Sequence, residues 1–217
     1  MTKYSNLKVL LDVPYDYQLD NETVFQRPYA ECQTSANYMM ADYVTSGYVS
    51  DRAKANNMKA PVNWWAYHCK QRGDTTNGLA HSRVWEEMLG IPSAIRKDGS
   101  IEDLFPYLAN DIPVAIGVHY KSSGHWITVT GVDVPNQMFR CHDPNGSRAG
   151  NNDFYASNAK EAGVHDYYSF KLMKQVWSCS EHEYQSRISG EGYGWFREIP
   201  LSYVDNPDES SGSLKDA

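Results

Sequence analysis

Three residues in this chain have the types and surroundings that nucleophilic catalysis needs: Cys32, His125 and Asp143. Cys32 stands where a polar loop, ETVFQRPYAE, meets a helical pattern. Ala36, Met39, Met40, Tyr43 and Val44 recur at helical spacing, which predicts the sulfur in the first turn of a core-packed helix. Backbone N–H groups there lack intrahelical partners, so they favour an anionic sulfur and can hold a developing oxyanion. The plain alternative is a small buried cysteine that only fills space.

His125 begins an apolar run, HWITVTG, with strand character, and MFRCH reads as the returning strand after a turn at Pro135-Asn136. Residues equidistant from a hairpin turn lie side by side. A turn centred on residue 134 pairs His125 with Asp143, while a one-residue slip turns one side chain to the other face. A carboxylate beside an imidazole fixes its tautomer and stabilises the imidazolium, and that imidazole can take a thiol's proton. Asp143-Pro144-Asn145-Gly146 is equally an ordinary turn in which the aspartate caps its own backbone.

Around these residues the elements change character along the chain. The helix from Cys32 is predicted to run to Thr45-Ser46-Gly47, where glycine supplies the stop. Helical spacing continues through residues 50–70 around Pro61. Thr76 or Asn77 could cap a further helix through Leu89, ended by Gly90. Ser100 with Asp103 resembles a capping box before a helix that Pro106 keeps short. Strands are then predicted over 112–118, 125–131, 138–142 and 194–199, with another element over 170–177 and a polar loop over 147–163. The expected fold class is α+β: N-terminal helices packed on a C-terminal antiparallel sheet, one domain over 1–204, and a disordered polar tail over 205–217.

Composition narrows the partners. A net charge of −7, without basic clusters, argues against nucleic acid and anionic membranes. No apolar run is long enough to cross a bilayer, and the N-terminus lacks the pattern of a secretory signal. The expected location is therefore cytoplasmic. Cys32, Cys69, Cys141 and Cys179 are widely spaced, which suits reduced thiols. No cofactor and no metal are expected.

Two rival readings bear on the same residues. His119, His125, His142 and Asp143, with Cys141, could converge on zinc, although adjacent strand residues point to opposite faces and no HExxH spacing occurs. A catalytically inactive binding module would keep a groove and its aromatics, Trp64, Trp65, Trp126 and Trp195, without chemistry.

Taken together, DVPYDYQLDN followed by ECQTSANYMM, then Gly124-His125-Trp126-Ile127-Thr128-Val129-Thr130-Gly131, then Asp143-Pro144-Asn145-Gly146, resemble the bacteriocin-leader (double-glycine) peptidase-like branch of the papain-like cysteine peptidases. The resemblance spans roughly residues 10–200. It implies a papain-like fold with Cys32 as nucleophile, His125 as general base and acid, and Asp143 as orienter. Gln18, in the Val-Pro-Tyr-x-x-Gln slot, is implied as the oxyanion-hole amide; Gln26, six residues before Cys32, is the alternative. Trp126 and Trp195 are expected along the substrate groove. The Gly194-Trp195 segment resembles the closing strand of phage-encoded members. That implies a peptide or peptidoglycan cross-link as substrate, an endolysin role, and synthesis in a host cytoplasm. One departure stands beside the nucleophile: Gln33 occupies a position where members carry glycine or another small residue.

Overall fold

Apolar spacing and stop signals put the helices where they form. In the computed structural model, which describes residues 3–21, 27–120, 124–177 and 194–203, α1 spans Cys32–Val44 and ends before Gly47, whose φ of 88° only glycine adopts freely. Helix α2 (Tyr48–Ala55) follows directly. Helix α3 (Pro61–Gln71) carries its proline in the first turn, where the missing N–H costs no hydrogen bond. Asn77, not Thr76, caps α4 (Gly78–Leu89) by accepting from the Leu79 N–H at 2.9 Å, and Gly90 closes it at φ 66°. The Ser100–Asp103 capping box is present and leads through one 3-10 turn into the short α5 (Leu104–Ala109).

Among the described residues, seven strands make one antiparallel sheet. They are β1 (Lys8–Leu10), β2 (Ala94–Arg96), β3 (Val114–His119), β4 (Gly124–Asp133), β5 (Met138–His142), β6 (Asp166–Ser169) and β7 (Trp195–Glu198). The order is β2-β7-β3-β4-β5-β6, with β1 paired to the far end of β4. Strands β1 and β2 lie in the N-terminal half of the chain and have only three residues each, too few for an alternation to register. Between β6 and β7 lies α6 (Phe170–Val176). Among the described residues no helix is long and apolar enough to cross a membrane. The tail over 205–217 lies outside the described residues.

Helix α1 is the centre of the packing. Gln33 through Asp42 are all buried, with β3 and β4 against the helix as well as α2, α3 and α4. Polar contacts fix its depth: Thr128 Oγ1 donates to Ala36 O at 3.1 Å, and the Ala115 N–H donates to Met40 Sδ at 3.4 Å. Arg197 of β7 is fully buried and ties four segments together. It donates to Asn37 of α1, to Ser82 and Gly78 O of α4, and to Ser93 before β2. Since these acceptors are neutral, burial pulls its guanidinium down to about 9.

The hairpin of β4 and β5 departs from the expected register in an informative way. Asp133 pairs with Met138, which centres the turn between Pro135 and Asn136 rather than on residue 134. Near the turn, Gly131 pairs with Arg140. Past Thr130 the register shifts by one, and Val129 pairs with Cys141. Thr130 is thus an extra residue on β4, a β-bulge. His125 and Asp143 are consequently not opposite each other: continuing the shifted register puts Asp143 opposite Ile127, two residues from His125 and on the same face. Without the bulge Asp143 would fall opposite Thr128, and His125 would point to the other face.

Met39 and Met40 are both fully buried. Replacing Met40 with Ala removes its thioether and leaves a cavity under β3, so chemical denaturation should show a stability loss of about 2–5 kcal/mol.

Candidate active site

The first residue of α1 is Cys32, which is partly exposed. Its neighbour across the site is His125, buried near the start of β4. The imidazole Nε2 donates to Asp143 Oδ1 at 2.7 Å, and the Cys32 sulfur lies within hydrogen-bond reach of the same ring. Burial alone would lower the imidazole's pKa. Asp143, then Cys32, more than offset that and raise it to about 10. At neutral pH the ring is therefore imidazolium, flanked by sulfur and carboxylate. Because this folded value lies above the ordinary 6.5, the pair's stabilisation is fully present below about 6.5 and is lost as pH rises toward about 10.

Asp143 is fully buried, and its backbone is pinned from two sides. Tyr15 of the Val-Pro-Tyr segment donates to Asp143 O at 2.9 Å, and the Asp143 N–H donates to Gly163 O at 3.0 Å. Its Oδ1 also accepts the Asn145 N–H at 3.0 Å. The turn-capping role and the histidine contact thus coexist in one carboxylate. Gly163 has to be glycine: a Cβ there would lie 2.0 Å from Asp143 O and 2.6 Å from the Tyr15 hydroxyl.

Gln18 sits in a 3-10 turn between the Asp143 turn and α1. Its N–H donates to Pro144 O at 2.9 Å, and its side-chain Nε2 donates to Pro28 O at 3.2 Å. The flanking Asp16 and Asn21 both bond Ser35 of α1, at 2.5 and 3.2 Å, so this segment is stapled to the helix that carries Cys32. Gln18 does not line the cavity at Cys32, and Gln26 lies outside the described residues.

That cavity has a volume of about 240 Å³. Cys32, Gln33, His125, Trp126, Trp177 and Trp195 are among its lining residues. Gly117 forms part of the wall, and a Cβ there would touch the Trp126 ring and Trp195 Cβ at 3.3 Å. Trp177 was not singled out by sequence reasoning. Its Nε1 donates to Trp195 O at 2.8 Å, and the Gly194 N–H donates back to Trp177 O at 3.0 Å, so the two walls are clasped together. The signal available was its place just after an amphipathic helix, which does not distinguish a cavity wall from core. Trp64 and Trp65, by contrast, are not groove residues: both are buried in α3, where Trp65 packs against Trp85 and His81.

A second cysteine–histidine contact lies in the core. Cys69 Sγ is 3.5 Å from His81 Nδ1, which also accepts from Trp65 Nε1 at 2.9 Å. Burial pushes this thiol far up and the imidazole down to about 3, the reverse of what a nucleophile and base require. Cys141 is likewise buried, with its thiol pushed up. The four residues of the zinc reading do not converge. His142 Nε2 donates to Val13 O, while its Nδ1 accepts from the His165 N–H. Among the described residues no three His, Cys, Asp or Glu side chains are grouped to hold a metal ion.

Gly163→Ala should displace Asp143 and lower the iodoacetamide alkylation rate of Cys32 at pH 7 by about tenfold, since misplacing a catalytic group by an ångström costs that much or more. Site-resolved mass spectrometry reads this directly.

Residues 10–175, the stretch that carries Cys32, His125 and Asp143, match the Peptidase_C39 like family. Among solved structures, one described as a C39-like peptidase from Bacillus anthracis is 13% identical with a TM-score of 0.44, covering 74% of this chain and 92% of that one. A search of curated proteins finds no match. The α+β arrangement, a cysteine-bearing helix buried against an antiparallel sheet, is papain-like, and the chain belongs to the Peptidase_C39 like family.

Proposed function

We propose that this protein is a cysteine peptidase with Cys32 as nucleophile, His125 as general base and acid, and Asp143 as orienter. The observation that carries this reading is the 2.7 Å bond from His125 Nε2 to Asp143, with the Cys32 sulfur on the same ring at a helix N-terminus that opens into a cavity. The sulfur attacks a peptide or isopeptide carbonyl carbon. The imidazolium then protonates the leaving amine, and water, deprotonated by the imidazole, releases the acid from the thioester.

The Cys32 N–H, unpaired at the helix start, is one donor for the oxyanion. We assign the second to Gln18, whose amide keeps one hydrogen beyond that given to Pro28 O but has to turn from its present place outside the cavity lining to reach the oxyanion. Such a donor is worth about 3 kcal/mol in the transition state. Trp126 and Trp195 form the groove that holds the substrate chain. The narrower reading, a phage endolysin that opens peptidoglycan cross-links, rests on the resemblance of Gly194-Trp195 to phage-encoded members. Free thiols at Cys32, Cys69 and Cys141 suit synthesis in a cytoplasm.

Cys32→Ala should abolish turnover and keep the fold, because alanine suits the first turn of a helix. Mass analysis of peptides and purified peptidoglycan after incubation with wild type and variant is the test; turnover by the variant rejects the assignment. In the wild type, iodoacetamide near neutral pH should label Cys32 well before Cys69 and Cys141. Equal labelling would favour an inactive binding module. Gln18→Ala should lower kcat by about a hundredfold and Gln26→Ala should not; the opposite result moves the amide's role to Gln26.

A further inference from the structure

A carboxylate with no access to water needs a donor for each oxygen, and Asp143 divides its donors unevenly. Oδ1 is met by His125 Nε2 and by the Asn145 N–H. Oδ2 is met, among the described residues, only by two tyrosine hydroxyls, Tyr168 at 3.2 Å and Tyr155 at 3.3 Å. Tyr155 is equally 3.3 Å from Oδ1, so its hydroxyl bridges both oxygens. We propose that Tyr155 and Tyr168 are positioning residues, which lock the Asp143 carboxylate in the rotamer that orients His125. This inference rests on the peptidase reading above.

The donors are directional. Tyr168 has one hydroxyl hydrogen and gives it to Asp143, so the 2.5 Å contact between the Tyr120 and Tyr168 hydroxyls is donated by Tyr120. Burial and the neighbouring carboxylate push both Tyr155 and Tyr168 above the usual phenol range, so these groups keep the hydrogens they donate.

Each hydroxyl is held in place by a different part of the chain. Tyr168 is paired with Phe139 in the sheet, on the face that Asp143 shares. Tyr155 rides on the polar loop after Asp143. That loop is closed by reciprocal backbone bonds between Ser147 and Ser157, and tied to β6 where Asp166 accepts from Ser147 Oγ and the Arg148 N–H. The Arg148 guanidinium lies 4.1 Å from the Tyr155 ring centroid and 3.3 Å from that of Tyr120. Its Nε and Nη1 are buried without a hydrogen-bond partner, so the two aromatic faces, together with a side-chain hydrogen bond to Tyr155, hold this cation. The sandwich keeps Tyr155 edge-on to His125, with ring centroids 6.3 Å apart and planes at 88°.

The test uses Tyr155→Phe and Tyr168→Phe, each of which deletes one oxygen and keeps the ring. The readout is the rate of Cys32 alkylation by iodoacetamide at pH 6 and at pH 10. Below neutrality a reactive sulfur depends on an oriented imidazolium; at pH 10 a cysteine ionises without one. Each variant is expected to lose about tenfold at pH 6, with little change at pH 10. Near-UV circular dichroism should match the wild type. Equal losses at both pH values, or no loss at either, would overturn the positioning role. A wild-type rate at pH 6 no faster than that of a free thiol would instead reject the peptidase reading. Tyr155 is only half-buried, so its variant remains informative if Tyr168→Phe fails to fold.

Discussion

The buried carboxylate of Asp143 is the constraint around which the half of this molecule that holds the candidate site is arranged. Removing a carboxylate from water is costly, and its donors must be brought from separate parts of the chain. Imidazole comes from β4, an amide from the following turn, and hydroxyls from a long loop and from β6. Tyr15 and Gly163 leave the backbone beneath it no freedom to retreat. The elements that look incidental to a cysteine–histidine site thereby acquire a reason. The N-terminal segment, the loop over 147–163 and the short strand β6 all converge on one anion.

Two cysteine–histidine contacts in one chain show how environment decides chemistry. Cys69 and His81 lie as close as hydrogen bonding allows, yet the core leaves both neutral, and tryptophan and backbone atoms occupy the imidazole. Cys32 and His125 differ in having a carboxylate behind the ring, a helix N-terminus under the sulfur, and a cavity in front. Proximity alone would not tell these pairs apart. The partner of the histidine does.

The helix bearing Cys32 was legible because its apolar residues recur at helical spacing and its end is marked by Gly47. The caps at Asn77, Gly90 and Ser100 follow from local chemistry and form as read. The proximity of His125 and Asp143 was legible from the hairpin, but its geometry was not: nothing in HWITVTG announces a bulge at Thr130, and that extra residue decides which face each side chain occupies. Strands of three residues carry too little pattern to be seen. Trp64 and Trp65 look identical in sequence to groove tryptophans, and only the packing of α3 against its neighbouring helices shows them to be core. Tyr155 and Tyr168 were hidden for a similar reason, since a tyrosine's role depends on where its hydroxyl ends.

The place of β7 in the sheet bears on how this domain assembles. A strand late in the chain is inserted between β2 and β3, carrying Arg197 into contact with α1 and α4 and Trp195 into the wall beside Cys32. Such contacts join residues from 78 to 160 positions apart, and loop closure over that span makes them late events in folding. A chain emerging from the ribosome therefore carries its thiol and imidazole long before it owns the walls of the cavity. Synthesis and maturation of the site are separated in time by the fold's own topology.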